Sequence, residues 1–240
     1  MTRFESLFPL GRLQEILDEI DDLLEEVDSD TQTWFGLHGW MAQVRYAMGQ
    51  SLSAVPDFFD DAERITDPQM RGPFAVFKTL KRLEEGRRDE AIAAAEGFRD
   101  AFEGDTQLLL IWGPVAAEAL LDLDRLDILK DITVPIEAQW RYQTWLRHRS
   151  EGLIAEAEGR HEDAAEALQK AVAIAESLGH RYGVTWAGVP LARVLGELGR
   201  DAEQEALLDR IEPLSAEMGT RPLTEEIARL RGNQNLAEAN

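Results

Sequence analysis

Apolar side chains in the last third of the chain recur at alternating intervals of four and three residues. The clearest stripe precedes a glycine at position 179 and consists of Ala164, Leu168, Ala171, Ala175 and Leu178. This spacing places the five side chains on one face of an α-helix. A glycine after the last of them can adopt the left-handed conformation that closes a helix. The pattern therefore predicts an amphipathic helix that ends at Gly179.

The same pattern repeats along the chain. Four glycines are spaced 20 residues apart, at Gly159, Gly179, Gly199 and Gly219. A helical stripe precedes each of the last two as well. Residues also match at an interval of 40, in the pairs Arg160/Arg200, Leu168/Leu208, Lys170/Arg210 and Arg181/Arg221. A repeat of this length is typical of stacked supersecondary units, none of which can bury its apolar face alone. The unit is a helix, a turn, a second helix and a second turn.

Helical stripes also cover most of the remaining chain. The first spans 10–27, and further helices are predicted near 32–48, 53–65, 73–85, 88–103, 125–131, 135–158 and 222–230, with one from 106 interrupted at Gly113-Pro114. Thr31, or Asp30 before it, can cap the second of these helices. Turns within the helix pairs fall at Gly49, Gly86, about Asp124, Gly159 and Gly199, at intervals of 37, 38, 35 and 40 residues. No stretch alternates like a strand.

These elements together predict an all-α fold. We expect about five helical hairpins stacked into a right-handed α-solenoid, with an N-terminal helix before them and a capping helix at the C-terminal end. The polar residues of the last helix suit an outer cap. The expected organisation is one domain over 1–232, followed by a disordered tail over 233–240.

The stretch that contains Gly152, Gly159, Ala164, Leu168 and Ala171 resembles a tetratricopeptide repeat. In that family a small residue of the first helix faces an alanine of the second. The next repeat departs from the pattern, because Gln204 stands where that alanine belongs, and most units lack the family's aromatic residue. The resemblance covers about 135–232 and extends to the longer, degenerate repeats of bacterial signalling ATPases, nucleotidyl cyclases and transcription activators. It implies an interaction or regulatory scaffold without their catalytic or DNA-binding modules.

Composition narrows the possible partners. The net charge of −21 opposes binding to nucleic acid and to anionic membranes, since phosphate contacts dominate those affinities. The chain has no cysteine, which excludes disulfides and thiolate sites. No apolar run is long enough to span a bilayer, and the first residues lack the pattern of a signal peptide. We therefore expect a cytoplasmic protein with neither a nucleic-acid nor a membrane partner.

Three acidic residues are the strongest candidates for chemistry. Asp21, Asp22 and Glu25 have the spacing of the aspartate-rich motif of terpene synthases, in which carboxylates hold magnesium. A solvated acidic face is the preferred explanation, because the helix is acidic throughout and the second metal-binding motif of those enzymes has no counterpart. The four histidines do not pair at helical spacing, and no phosphate-binding loop is present. The sequence thus predicts no catalytic residue, metal or cofactor.

The stretch 140–149, WRYQTWLRHR, has the most unusual composition. An arginine beside a tryptophan can stack on it and bind a partner's carboxylate. Alternatively, the tryptophans belong to the core and the arginines balance the acidic chain. If the first helix of each pair lines a concave surface, that surface presents Gln43, Tyr46, Trp145, Arg149, Leu153, Trp186, Val189 and Arg193.

We therefore predict a non-catalytic scaffold that binds a protein or peptide, with an acidic segment held near Arg149 and Arg193. A sensor that holds a small metabolite inside the superhelix is the alternative, and a magnesium-dependent terpenoid enzyme is a remote third. The sequence identifies neither the partner nor the oligomeric state.

Overall fold

The computed structural model of the chain describes residues 2–29, 31–56, 71–102, 106–133 and 140–238. These residues form helices joined by turns, with no strand among them. The helices are α1 (Thr2–Leu7), α2 (Leu13–Glu26), α3 (Gln32–Ala47), α4 (Arg71–Glu84), α5 (Arg88–Glu96), α6 (Phe98–Phe102), α7 (Thr106–Asp122), α8 (Leu126–Thr133), α9 (Arg141–Ala157), α10 (His161–Leu178), α11 (Arg181–Glu197), α12 (Asp201–Met218) and α13 (Arg221–Glu238). The predicted all-α class is confirmed for the described residues.

The predicted turns all fall at residues with a left-handed backbone. Positive φ angles occur at the five predicted hairpin turns and again between hairpins, at Gly49, Gly86, Asp124, Gly159, Gly179, Gly199 and Gly219. Asp124, with φ 60°, is the one residue other than glycine with a positive φ in the described part of the chain. The glycine spacing therefore locates the ends of the helices.

Several predicted helix boundaries differ from the structure. The described part of the helix predicted over 88–103 forms two helices, because Gly97 ends α5 and α6 begins at the next residue. α7 continues through Pro114, where an interruption is predicted. α9 begins at Arg141 rather than at Pro135, and residues 134–139 lie outside the described part. Of the helix predicted over 53–65, the described residues contain only a short 3-10 helix at Leu52–Ala54.

One of the two predicted helix caps lies in the described part of the chain. Thr31 caps α3, since its Oγ1 accepts a hydrogen bond from the Trp34 amide at 3.2 Å. The other predicted cap, Asp30, lies outside the described residues. At the C-terminal end, α13 extends to Glu238 and so covers most of the predicted tail.

The chain divides into two compact units. The first comprises Met1–Glu5, Gln14–Tyr46 and Gln50–Glu137, and the second comprises Ser6–Leu13, Ala47–Gly49 and Ala138–Asn240. We call them unit 1 and unit 2. In unit 1, α4 packs against α5, α6 and α7, and α8 packs against α6 and α7. In its core the Trp112 ring contacts two other aromatic rings, at 5.2 Å from Phe77 and 5.5 Å from Trp40.

Unit 2 is built from consecutive helices. Each of α9 to α12 packs against the next helix along the chain. Most residues of the apolar stripes that predicted these helices lie in the core, and Leu168, Val194 and Ile211 are completely buried, whereas Leu178 at the end of its stripe is exposed. Apolar burial of this kind is the main driving force for such packing. Unit 2 therefore provides the framework on which most predicted site residues lie.

Candidate functional site

Arg149 lies inside unit 2 rather than on its surface. The side chain is completely buried, and its guanidinium carbon lies 4.4 Å from the centre of the Trp186 ring. Its Nε faces the Trp186 carbonyl oxygen at 3.5 Å. A desolvated arginine over a tryptophan face is stabilised by about 2 kcal/mol. The expectation that Arg149 faces a partner is therefore wrong for this conformation, because Trp186 covers its charge.

A cluster of aromatic rings continues from this arginine. Tyr182 packs 4.7 Å from Trp186, and the His180 ring lies 5.0 Å from Trp145. Tyr142 stacks parallel to His180 at 5.5 Å. We call these five residues the aromatic cluster. Its two tryptophans, Trp145 and Trp186, were predicted to be accessible. In the structure Trp145 is completely buried and Trp186 is 4% exposed. Both serve the core, as the alternative interpretation of the stretch 140–149 predicts for Trp145.

His180 is the polar member of the aromatic cluster. It precedes α11, and its Nδ1 accepts the Gly183 amide hydrogen at 2.7 Å. The neutral ring therefore carries its proton on Nε2. Burial lowers the pKa of His180 from 6.5 to about 4. The hydrogen bond from Gly183 requires a neutral ring, and burial disfavours a charged one. Both therefore favour the neutral form of His180.

Arg193 is the predicted site residue of unit 2 that keeps substantial exposure. Its guanidinium binds Glu156 through Nε at 2.5 Å and Nη2 at 3.1 Å, and Glu226 through Nη1 at 3.2 Å. Burial opposes the charge, but the two carboxylates raise the pKa of Arg193. The arginine thus links α9, α11 and α13. It does not converge with Arg149 on a common surface, because Arg149 is enclosed.

The remaining predicted site residues are mostly buried. Leu153 and Val189 are 3% and 4% exposed in the core of unit 2. Gln43 and Tyr46 belong to unit 1, where the Gln43 amide donates to the Ile111 carbonyl at 3.1 Å and Tyr46 is half-buried. Helix position alone predicted these residues to be accessible, and neighbouring elements cover them. Partner binding by any of the eight residues stays a prediction.

Residues from the start of the chain complete unit 2, and sequence analysis missed them. The Phe8 ring meets Tyr182 edge to face at 4.8 Å, and the Tyr182 amide donates to the Pro9 carbonyl at 3.2 Å. Gly11 lies so close to Met218 that an added Cβ would meet its Sδ at 2.2 Å. These contacts join residues 8–11 to the start of α11 and the end of α12.

A second early segment contacts the last turn. Arg221 donates to the Gly49 carbonyl, and an added Cβ on Gly49 would meet the Pro222 ring at 2.8 Å. The only hint of these contacts in the sequence is the glycine at each position, 11 and 49, because a glycine allows another residue to approach the backbone closely. The local pattern of apolar residues does not predict which distant residues, Met218 and Pro222, they contact.

One tryptophan remains exposed. Trp140 precedes α9 and is 72% exposed, and it is followed by the exposed Arg141, whose guanidinium donates to the Ser177 hydroxyl. Two other large apolar residues of unit 2 are exposed, Leu10 at 44% and Leu178 at 41%. The stretch 140–149 therefore divides into an exposed beginning and a buried middle.

The acidic candidates face solvent. Asp21, Asp22 and Glu25 are all exposed on α2. Within the described ranges, no group of three histidine, aspartate or glutamate side chains is arranged to hold a metal ion. The same part of the chain contains no helix that is both long and apolar enough to cross a membrane.

Comparison with known proteins assigns no family or function to this chain. No family model matches this chain, and no curated protein sequence matches it.

Proposed function

We propose that this chain is a tetratricopeptide-like α-solenoid that binds a segment of another protein and performs no catalysis. The observation that carries the proposal is the regular series of helices in unit 2. Four left-handed glycines, 20 residues apart, separate helices that each pack against the next. Repeats of this kind form extended surfaces with many side chains aligned in rows, which suits the recognition of peptides and proteins.

Close helix contacts support the likeness to tetratricopeptide repeats. An added Cβ on Gly152 would meet the Leu168 Cγ at 2.5 Å and the Ala164 carbonyl at 3.3 Å. A small residue of α9 thus lies against α10, as the family pattern requires. In the next pair Gly196 lies opposite Gln204, where an added Cβ would meet Nε2 at 2.9 Å. A glycine therefore accommodates the larger residue that departs from the pattern.

A sensor for a small ligand is the second candidate. Its supporting observation is the buried charge of Arg149, which lies among aromatic rings in the centre of unit 2. Buried charges are costly to maintain and often serve binding. The stacking of Trp186 on the guanidinium explains the same arrangement without a ligand, so we rank the scaffold first.

Two parallel measurements separate the candidates. The full chain, immobilised through one end, is used to select from a random library of displayed peptides, and the selected peptides are then titrated in solution. A thermal-shift screen with metabolites, and with magnesium plus a prenyl diphosphate, uses the same preparation. Selected peptides with dissociation constants below about 100 µM support the scaffold. A metabolite that raises the melting temperature, with no peptide retained, supports the sensor and contradicts the scaffold.

A further inference from the structure

The exposed tryptophan stands out against the other five. Trp40, Trp112, Trp145 and Trp186 are at most 6% exposed, and Trp34 is half-buried. Trp140 leaves 72% of its surface accessible. Tryptophan contributes more binding energy at interfaces than other residue types, since its large ring is rigid. An exposed tryptophan at the start of a well-packed helix is therefore a candidate contact for a partner.

Other exposed residues lie at the same end of unit 2. α9 begins beside the end of α10, because Arg141 binds Ser177, and Leu178 follows directly. Leu10 lies near the same end, because the amide of Tyr182, just after the α10–α11 turn, donates to the carbonyl of Pro9. We call Leu10, Trp140, Arg141 and Leu178 the Trp140 surface. Three of its four side chains are large and apolar.

The charge of this surface differs from that of the chain. Two acidic residues beside it in the described part of the chain are already paired, because Glu217 binds Arg181 and Glu176 lies 3.2 Å from Arg210. Exposed arginines elsewhere in unit 2, such as Arg160, Arg200 and Arg229, each hold a carboxylate. Arg141 instead contacts a neutral hydroxyl. Its positive charge is therefore available to a partner, although the protein as a whole carries −21.

We propose that the Trp140 surface binds an acidic peptide segment of a partner protein in which a large apolar side chain lies next to a carboxylate. The apolar side chain packs on Trp140 and Leu178, and the Arg141 guanidinium holds the carboxylate through paired hydrogen bonds. This inference deepens the proposed scaffold function and rests on it. A second copy of the chain fits less well, because two copies that each carry a net charge of −21 repel each other.

The test uses two fluorescein-labelled hexapeptide libraries. One fixes phenylalanine or leucine followed by aspartate or glutamate, and the other carries lysine in place of the acid. Binding is measured by anisotropy at about 0.15 M salt, where the long-range repulsion between an acidic peptide and a chain of −21 is largely screened but a contact ion pair is not. We expect the acidic library to bind at least tenfold more tightly. Trp140→Ala and Arg141→Ala should each weaken binding by about tenfold with unchanged melting temperatures, since both side chains are exposed.

Arg160→Ala is the matched control. Arg160 is an exposed arginine at the opposite end of the α9–α10 hairpin and already binds Glu158 and Asp163. Its removal should leave peptide binding unchanged. Acidic peptides that bind Trp140→Ala and Arg141→Ala as tightly as the natural chain would overturn this surface and leave the scaffold function standing. Equal binding of the lysine library, or self-association that Trp140→Ala abolishes, also overturns the proposal. The absence of binding to either library, together with an empty peptide selection, overturns both.

Discussion

A buried histidine makes part of the stability of unit 2 dependent on pH. His180 caps α11 through a ring nitrogen that must be unprotonated, and aromatic rings enclose it. Protonation would remove the hydrogen-bond acceptor and place a charge where water cannot reach it. The folded state therefore favours the neutral ring more strongly than the unfolded chain does.

The first prediction concerns this histidine. Its folded pKa of about 4 lies below the unfolded value of 6.5. Its contribution is thus complete above pH 6.5 and is lost as the pH falls to about 4, with a total of about 3 kcal/mol. Burial also lowers the pKa of His38, so protonation of that residue likewise reduces the free energy of unfolding as the pH falls. Urea denaturation at several pH values measures the effect.

His180→Asn is the control for this prediction. Asparagine keeps a capping acceptor but does not titrate. The variant should show a shallower fall in unfolding free energy between pH 6.5 and 4 than the natural chain. Identical slopes in the two proteins would mean that the charge state of His180 does not affect folding.

The second prediction separates backbone conformation from packing. Gly179 has φ 66°, and an added Cβ would meet nothing within 4 Å. Gly179→Ala should therefore lower the unfolding free energy by about 1 kcal/mol through backbone strain alone. Gly232 also has open space but lies within α13 without a positive φ, so Gly232→Ala should raise stability by about 0.5 kcal/mol. Effects of the same sign in both variants would contradict the strain argument.

At the scale of elements, helix contacts in unit 2 depend on small residues. Gly152 lies against Leu168 more closely than any Cβ could. Both residues are buried, so the backbone of α9 approaches α10 at this point. Helix pairs that meet in this way tolerate little added volume.

The third prediction tests that contact. Gly152→Ala should lower the unfolding free energy by about 2 kcal/mol, because overpacking exceeds the gain in helix propensity. Leu168→Ala alone should cost about 3 kcal/mol through its cavity. The double variant should be more stable than the sum of the two losses predicts, since removal of the Leu168 side chain makes room for the new methyl group. Strict additivity in denaturation experiments would show that the helices do not meet here.

The elements also show which parts of the fold the sequence determines. Glycine spacing located the turns, and even Asp124 was identified from the interval between repeats. Gly97 was missed as a boundary because its backbone is right-handed, with φ −70°, so its conformation is no different from that of a glycine within a helix. Pro114 was expected to interrupt a helix that in fact continues. Local rules give the probability of a break, and packing decides the outcome.

The candidate site was less predictable than the fold. Helical periodicity identifies the residues that share one side of a helix, but it does not show which side a neighbouring helix covers. Trp145 and Arg149 were assigned to the accessible side, and both are completely buried. The contacts of Phe8 and Gly11 with the repeats link residues far apart in the chain, for which a single sequence carries no signal. Trp140, in the same stretch, is exposed, although the alternative interpretation of 140–149 assigned its tryptophans to the core.

At the scale of the molecule, the last helix covers the end of unit 2. Ile227 and Leu230 of α13 are buried, and Arg231 binds Asp209 at 2.7 Å and Glu212 at 3.0 Å on α12. Arg221 of the same helix holds the Gly49 carbonyl. α13 thus fastens both a neighbouring repeat helix and an early segment of the chain.

The fourth prediction follows from this arrangement. Deletion of residues 221–240 should expose Leu207 and Ile211, which are otherwise buried, and should lower the unfolding free energy by about 4 kcal/mol. The melting temperature should fall by about 10 °C, and the protein should aggregate. Deletion of residues 233–240 alone is the control and should change neither property. Light scattering and thermal melts distinguish the outcomes, and a monomeric 221–240 deletion with an unchanged melt would contradict the capping role.

The early segments of unit 2 also bear on how the protein is made. Arg221 binds the Gly49 carbonyl across 172 residues of chain. At a synthesis rate of about 5–20 residues per second, Gly49 leaves the ribosome roughly 10–30 s before its partner exists. Phe8 likewise lacks its partner Tyr182 until α11 has been synthesised. Unit 2 therefore cannot be completed before Arg221 has been synthesised, and until then the early segment is exposed to chaperones.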